Sequence, residues 1–322
     1  MHEILAEKHS VIDRRRNQEE RFLRRLAKDL KKFRVYYILA LPAIIYYFIF
    51  SYKPMYGAII AFKDFKPMKG IWASPWVGLE HFHTLFHSAF FWDILINTLK
   101  ISLYSIIFGF PAPIILALLL NEVRHTFLKR TVQSLTYIPH FISLVVICGL
   151  IKAFSESDGL INDLIAWFGG ERVSMLLWPE YFRTLYVSSG IWQEVGWGSI
   201  IYIAALAAID VEQYEAARID GAGRFKQLLH ITLPGIKSTI IIMLILRLGH
   251  VMGVGYEKII LLYNPNTFST ADVISTYVYR KGVLEFSYSF SAAVGIFNSV
   301  IDFTILILAN WLAKRWNETS LW

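Results

Sequence analysis

The chain has 322 residues, 55% of them hydrophobic, with mean hydropathy +0.45 and only 18% charged. Soluble domains carry about a quarter charged residues, so this composition excludes an ordinary soluble enzyme and points to the bilayer. The net charge of +7 does not mark a nucleic-acid binder, because 11 of the 32 Lys and Arg crowd into the first 34 residues.

Those first residues form the first expected element. The stretch "EERFLRRLAKDLKKF" puts Phe22, Leu23, Leu26, Leu30 and Phe33 on one side of a helix with basic residues around the rest. A basic amphipathic helix of this kind lies on an anionic membrane surface, or alternatively meets a cytoplasmic partner. A cleaved signal peptide is not expected: the basic region is too long, and no small-residue cleavage site follows the apolar run that begins near Val35. The chain is therefore divided into a basic amphipathic segment, 1–34, and a membrane domain, 35–322.

A hydrocarbon core about 30 Å thick needs roughly 20 apolar residues in a helix. Six stretches meet or approach that length, at about 35–53, 94–120, 132–153, 184–207, 236–262 and 289–312. The second contains Lys100, Pro111 and Pro113, which predict a tilted or kinked helix. Before it, "GLEHFHTLFHSAFFWDIL" reads as an interfacial helix. Its His81, His83 and His87 have no supporting Cys or HExxH, so no metal site is expected. The third holds the only cysteine, Cys148, which excludes an intrachain disulfide and is expected to be buried. The fourth is the least apolar, since it carries Gln193 and Glu194. The expected fold is an all-α membrane protein with six transmembrane helices. Six spans put both termini on one side. The loops on that side carry 20 Lys and Arg against 10 opposite, so the positive-inside rule makes both termini cytoplasmic, in a multi-pass protein of the cytoplasmic (inner) membrane.

Between the fourth and fifth spans lies a loop at 210–235, on the cytoplasmic side by this count. Asp210 is a good N-cap, with Gln213 three residues later in a capping-box-like pair. A helix from Val211 to about Ile219 follows, and Gly221 sits where a left-handed residue ends it. A second short helix is expected over about 222–230, with Pro234 ending the element. Local physics leaves two readings of this helix–turn–helix open, a docking element or an amphipathic connector on the headgroups.

The residues Glu215-Ala216-Ala217, three more, Gly221, nine more, Ile231, one more and Leu233-Pro234 resemble the EAA motif of bacterial ABC importer permeases, with every fixed position met. Its place before the second-last span is also the family's. "YIPHFIS", "GIWQEVGWGSIIYIAAL" and "YNPNTFSTADVISTYVYRKG" extend the resemblance to permeases of carbohydrate importers. Among these the chain looks most like the alginate-oligosaccharide permeases, with the LplB and rhamnogalacturonan types close beside them. The resemblance implies a type I (MetI-like) permease fold and import by alternating access. It implies that Glu215, Ala216, Ala217, Gly221 and Ala222 form a coupling helix docking on an ATPase subunit. The implied partners are a second, distinct permease, an ATPase dimer, an extracytoplasmic solute-binding protein and membrane lipid, with no nucleic acid. No cofactor is expected in this chain: it has no GxxxxGK[ST] loop, so ATP and Mg would bind the partner ATPase. No catalytic residue is expected, and the chain is expected not to be an enzyme. An ion-coupled secondary transporter is the rival class, but it usually shows an internal repeat, and none is visible.

Ionisable residues inside spans are costly and mark partners or pathways. Arg247 pairs with Glu194 or Asp302 to hold the bundle, lines a pathway and recognises a carboxylate on an acidic sugar, or points at backbone carbonyls. His250 lies one turn further. Trp192, Trp197, Tyr202 and Tyr256 are candidates for stacking on sugar rings, against the blander reading of lipid-facing or packed aromatics. Gly253 and Gly255 interrupt the fifth span, as at broken-helix transport sites.

Overall fold

The computed structural model describes residues 28, 31–317 and 320–321. Most of the expected amphipathic segment, including Phe22, Leu23, Leu26 and Leu30, lies outside them. The chain divides into two compact units, residues 1–59 and 60–322. The described part of the first is a helical run beginning with α1 (Arg34–Tyr47), continued by a π turn at Phe48–Tyr52. The run has no buried residue and no polar face, as a lipid-solvated helix requires.

The second unit is helical, and among its described residues the only β pairing is an isolated bridge between Lys63 and Trp76. A short amphipathic helix, α2 (Glu80–His87), precedes α3 (Ala89–Tyr104) with an extended Ser88 between them. The α3 helix runs through a π turn at Ser105–Gly109 into α4 (Pro111–Glu122), giving one 34-residue helix. Prolines 111 and 113 lack the amide hydrogen of a regular turn, and the π turn just before them absorbs the change of register.

The third expected span is not one helix. Instead α5 (Thr126–Tyr137) ends in a 3₁₀ turn at Ile138–Phe141, and α6 (Leu144–Ser155) starts afresh, with a 103° bend between the two arms. Pro139 sits in the turn, and the Ser143 hydroxyl caps α6 by accepting from the Val146 amide. Local turn chemistry therefore overrides the apolar run. After α7 (Leu160–Trp167), the 29-residue α8 (Pro179–Ala207) packs against α4 and α5. Gly196 permits the second of these contacts, for a Cβ there would stand 2.1 Å from the backbone oxygen of Thr136.

The loop helices α9 (Val211–Ile219) and α10 (Arg224–Gln227) follow, then α11 (Lys237–Leu248), α12 (Tyr256–Leu262), α13 (Ile274–Tyr279) and α14 (Tyr288–Asn317). The fifth expected span, about 236–262, is thus broken between Leu248 and Tyr256. Three clusters of buried side chains hold the unit. Ile147, Cys148, Phe182 and Ile259 centre the first, Phe91, Met252, Ile274 and Val294 the second, and Ile114, Tyr202, Leu206 and Ile236 the third. Cys148 is buried there as a small hydrophobe.

Among the described residues, three helices are long and apolar enough to cross a membrane: Arg34–Phe62, Ala89–Glu122 and Tyr288–Arg315. Three bent pairs raise the count to as many as six if each is one span.

Candidate functional site

Two places on the chain collect the residues singled out above. The first is the loop. The Asp210 carboxylate accepts the Glu212 amide at 3.0 Å, fixing the start of α9. Gln213 makes no reciprocal side-chain bond among the described residues, so the cap is a simple one. At the other end Gly221 has φ +76°, and the amides of Gly221 and Ala222 donate back to the carbonyls of Arg218 and Ala217 at 3.1 and 2.8 Å. That pair of bonds is a Schellman motif, and it turns the chain sharply after a helix of nine residues.

The return leg differs from expectation. Helix α10 starts at Arg224, two residues late, and passes through a π turn at Leu228–Thr232 and on to Gly235. The break comes at Ile236, after Pro234 rather than at it. Tyr214 on α9 and Thr232 on the return leg share a hydroxyl–hydroxyl hydrogen bond of 3.0 Å, and the Gln227 amide donates to the Ala222 carbonyl at 2.8 Å. These bonds brace the two legs from inside. Outside, Glu215, Ala216 and Gly221 are exposed, while Ala217 and Ala222 are half-buried. Those five residues present small side chains and the Glu215 carboxylate at the surface of the braced turn.

The second place is a cavity of about 490 Å³, lined by α3, the π turn after it, the start of α4, α8, α11, the break between α11 and α12, and α12. Arg247 and His250 line it, as does Tyr202, which also packs in the third apolar cluster. The other three aromatic candidates lie elsewhere. Trp197 stacks on the His140 ring at 4.5 Å, Tyr256 stacks on Tyr279 at 5.9 Å, and Trp192 is exposed.

Neither carboxylate considered for Arg247 is paired with it. Glu194 accepts from His140 at 3.0 Å, and Asp302 accepts the Met252 amide at 2.9 Å. Among the described residues Arg247 makes no ion pair. The Asp302 bond also explains how the broken helix is tolerated. Backbone groups released between Leu248 and Tyr256 are taken up by side chains of other helices: Met252 N–H by Asp302, Val251 C=O by Ser102, and Val254 C=O by Ser275 at 2.7 Å. Irregular backbone at membrane depth survives where it lines a cavity and is satisfied in this way.

Sequence reasoning passed over Lys258, Tyr186, Gly190 and Gly198, all of which line the cavity. One signal was available. Tyr186, Gly190, Glu194, Gly198 and Tyr202 fall at every fourth position of α8, a single helical stripe. Among the described residues no group of three or more His, Cys, Asp or Glu is placed to hold a metal ion. His81 meets the Lys63 carbonyl at 3.1 Å, and His83 stacks on His87.

The family described as "Binding-protein-dependent transport system inner membrane component" matches residues 109–318. The chain is 45% identical to protein LplB of Bacillus subtilis over 293 residues, covering 91% of this chain and 92% of LplB. It is equally identical to the polygalacturonan/rhamnogalacturonan transport system permease protein YteP of the same organism, covering 93% and 94%. A chain of a crystallised bacterial ABC transporter, involved in import of the acidic polysaccharide alginate, is 46% identical. It superposes with a TM-score of 0.84 over 91% of this chain and 99% of its own length. A related structure, the alginate transporter with alginate pentasaccharide-bound periplasmic protein, gives the same TM-score at 44% identity. With most of the membrane domain inside the family match and the helical architecture shared, this chain belongs to the inner membrane components of binding-protein-dependent transport systems.

Proposed function

We propose that this chain is the permease subunit of an ATP-driven importer for oligosaccharides, with acidic sugars such as alginate fragments preferred. It crosses the cytoplasmic membrane six times with both termini inside. It works with a second, distinct permease, two ATPase subunits and an external solute-binding protein. It holds no cofactor itself, since ATP and Mg bind the ATPases. In this reading Glu215, Ala216, Ala217, Gly221 and Ala222 dock into an ATPase groove, which small side chains and a short rigid helix suit. The likeness to alginate-transporter chains supports the sugar class, and family membership argues against an ion-coupled transporter.

The observation that carries the acidic preference is Arg247, a guanidinium on a cavity wall with no carboxylate partner among the described residues. The cavity volume of about 490 Å³ falls within the range of ligand sites, about 300–1,000 Å³. Transport then follows from alternating access. ATP binding draws the ATPases together, the loop moves with them, and the cavity opens outward to accept sugar from the binding protein. Hydrolysis resets it to face inward. A second reading, import of rhamnogalacturonan fragments, is favoured by the 45% identity to YteP.

The test is ATP hydrolysis by the reconstituted complex with its binding protein, with and without alginate and rhamnogalacturonan fragments. Stimulation by alginate fragments that Glu215→Ala abolishes is the expected result. Stimulation by rhamnogalacturonan fragments alone transfers the assignment to the second reading. Stimulation that survives Glu215→Ala makes the loop a connector.

A further inference from the structure

We infer that the Lys258 ammonium is a specificity-determining contact for a carboxylate on the transported sugar, an assignment that rests on the acidic-oligosaccharide reading above. Lys258 lies on α12 and is 7% exposed, yet it lines the cavity. Its Nζ donates to the Tyr186 carbonyl at 3.1 Å and stands 4.9 Å from the centroid of the Tyr186 ring. Gly190, one turn further along α8, lies beside the ammonium: a Cβ there would stand 3.6 Å from Nζ, an ordinary contact.

An ammonium has three donors, and the Tyr186 carbonyl takes one of them. Among the described residues no carboxylate stands within ion-pair distance of it, although Glu194, bonded to His140, lines the same cavity. Burying an ammonium with a single protein acceptor is costly, and the ring face offsets only part of that cost. An anion entering the cavity supplies what is missing. Arg247 lines the same cavity, so two cations without anionic partners and one carboxylate already bonded elsewhere face the cargo. A sugar carboxylate gains from that balance, whereas a neutral hydroxyl gains far less. The rival role for Lys258 is structural, a strut tying α12 to α8 through the Tyr186 carbonyl.

The experiment uses the complete complex in proteoliposomes and compares uptake of alginate fragments with uptake of carboxyl-reduced fragments of equal length. The binding protein is common to every arm, so its own preference cancels when variants are divided by the native complex. Lys258→Met is expected to lower the acidic-to-neutral uptake ratio about tenfold, and Lys258→Arg to hold it near native, since hydrogen bonds to charged groups are worth that factor or more. A ratio that Lys258→Met leaves unmoved, whether both rates fall together or neither falls, overturns the assignment and leaves Lys258 a strut. A ratio that falls equally in Lys258→Arg also overturns it. A native complex that takes up neither sugar, or both alike, overturns the acidic-oligosaccharide reading and the Lys258 assignment together.

Discussion

The loop at 210–235 and the cavity between the long helices use side chains in opposite ways. On the loop apolar groups face outward: Ile219 is 87% exposed and Phe225 is 71% exposed. On the cavity wall Lys258 and Tyr202 are almost wholly buried, while Glu194, Arg247 and His250 are open to it. Exposed apolar groups on a braced turn suit a protein partner, and buried polar groups on a cavity wall suit a cargo. The two regions also fold by different rules. The loop is shaped by bonds between residues at most 18 apart, such as Tyr214 to Thr232. The cavity wall is closed by Lys258 to Tyr186, 72 residues apart, and Ser102 to Val251, 149 apart.

The largest expected effect comes from pairing a substitution on α8, the helix whose other face lines the cavity, with one on the loop. Both take a glycine to valine. At Gly196 the new Cβ meets the Thr136 backbone oxygen at 2.1 Å, and neither helix can yield without separating α5 from α8. Such overpacking costs about 3 kcal/mol, or a thermal midpoint lower by roughly 5–10 °C. Heating the purified complex and following its assembled fraction checks this, and an unchanged midpoint breaks the claim that this contact is tight.

At Gly221 a Cβ meets nothing within 4 Å, so packing is indifferent to it. The backbone is not, because φ +76° suits glycine and disfavours a β-branched residue by about 1–2 kcal/mol. Gly221→Val is therefore expected to leave the midpoint within a few degrees while cutting sugar-stimulated ATP hydrolysis about tenfold. Stimulation that persists in the variant refutes a role for this turn. If both glycines behave alike, the contrast between the regions is wrong.

This contrast also explains what the sequence made legible. The start of α9, its last residue Ile219 and the left-handed Gly221 were all readable, because caps and turns depend on neighbours in the chain. The broken fifth span was signalled by Gly253 and Gly255, but not the Asp302 and Ser102 side chains that make the break affordable. The bend at 138–143 was hidden under an apolar run, since hydropathy does not register the direction of a helix. Aromatic candidates were chosen by residue type. Trp197 lies off the stripe of α8 that faces the cavity and stacks on His140 instead, whereas Tyr202 lies on the stripe. Lys258 escaped notice because nothing near it in the chain announces Tyr186.

The smallest expected effect tests whether the loop's shape alone, apart from its docking surface, matters. Asp210 lies outside the EAA residues, and its carboxylate does one visible thing, accepting the Glu212 amide at 3.0 Å. Removing an N-cap costs about 1 kcal/mol, and the negative charge adds a few tenths of a kcal/mol at the positive end of a helix dipole in solvent. Asp210→Ala is expected to lower stimulated hydrolysis about two- to threefold, by fraying the first turn of α9 in a fraction of molecules. Asp210→Ser keeps the hydrogen bond without the charge and is expected to recover most of the loss. Hydrolysis measured at equal complex concentration, with the two variants side by side, separates the cap from the charge. If serine performs no better than alanine, the carboxylate acts through its charge on the partner surface, and the docking face extends one turn further back than the EAA motif.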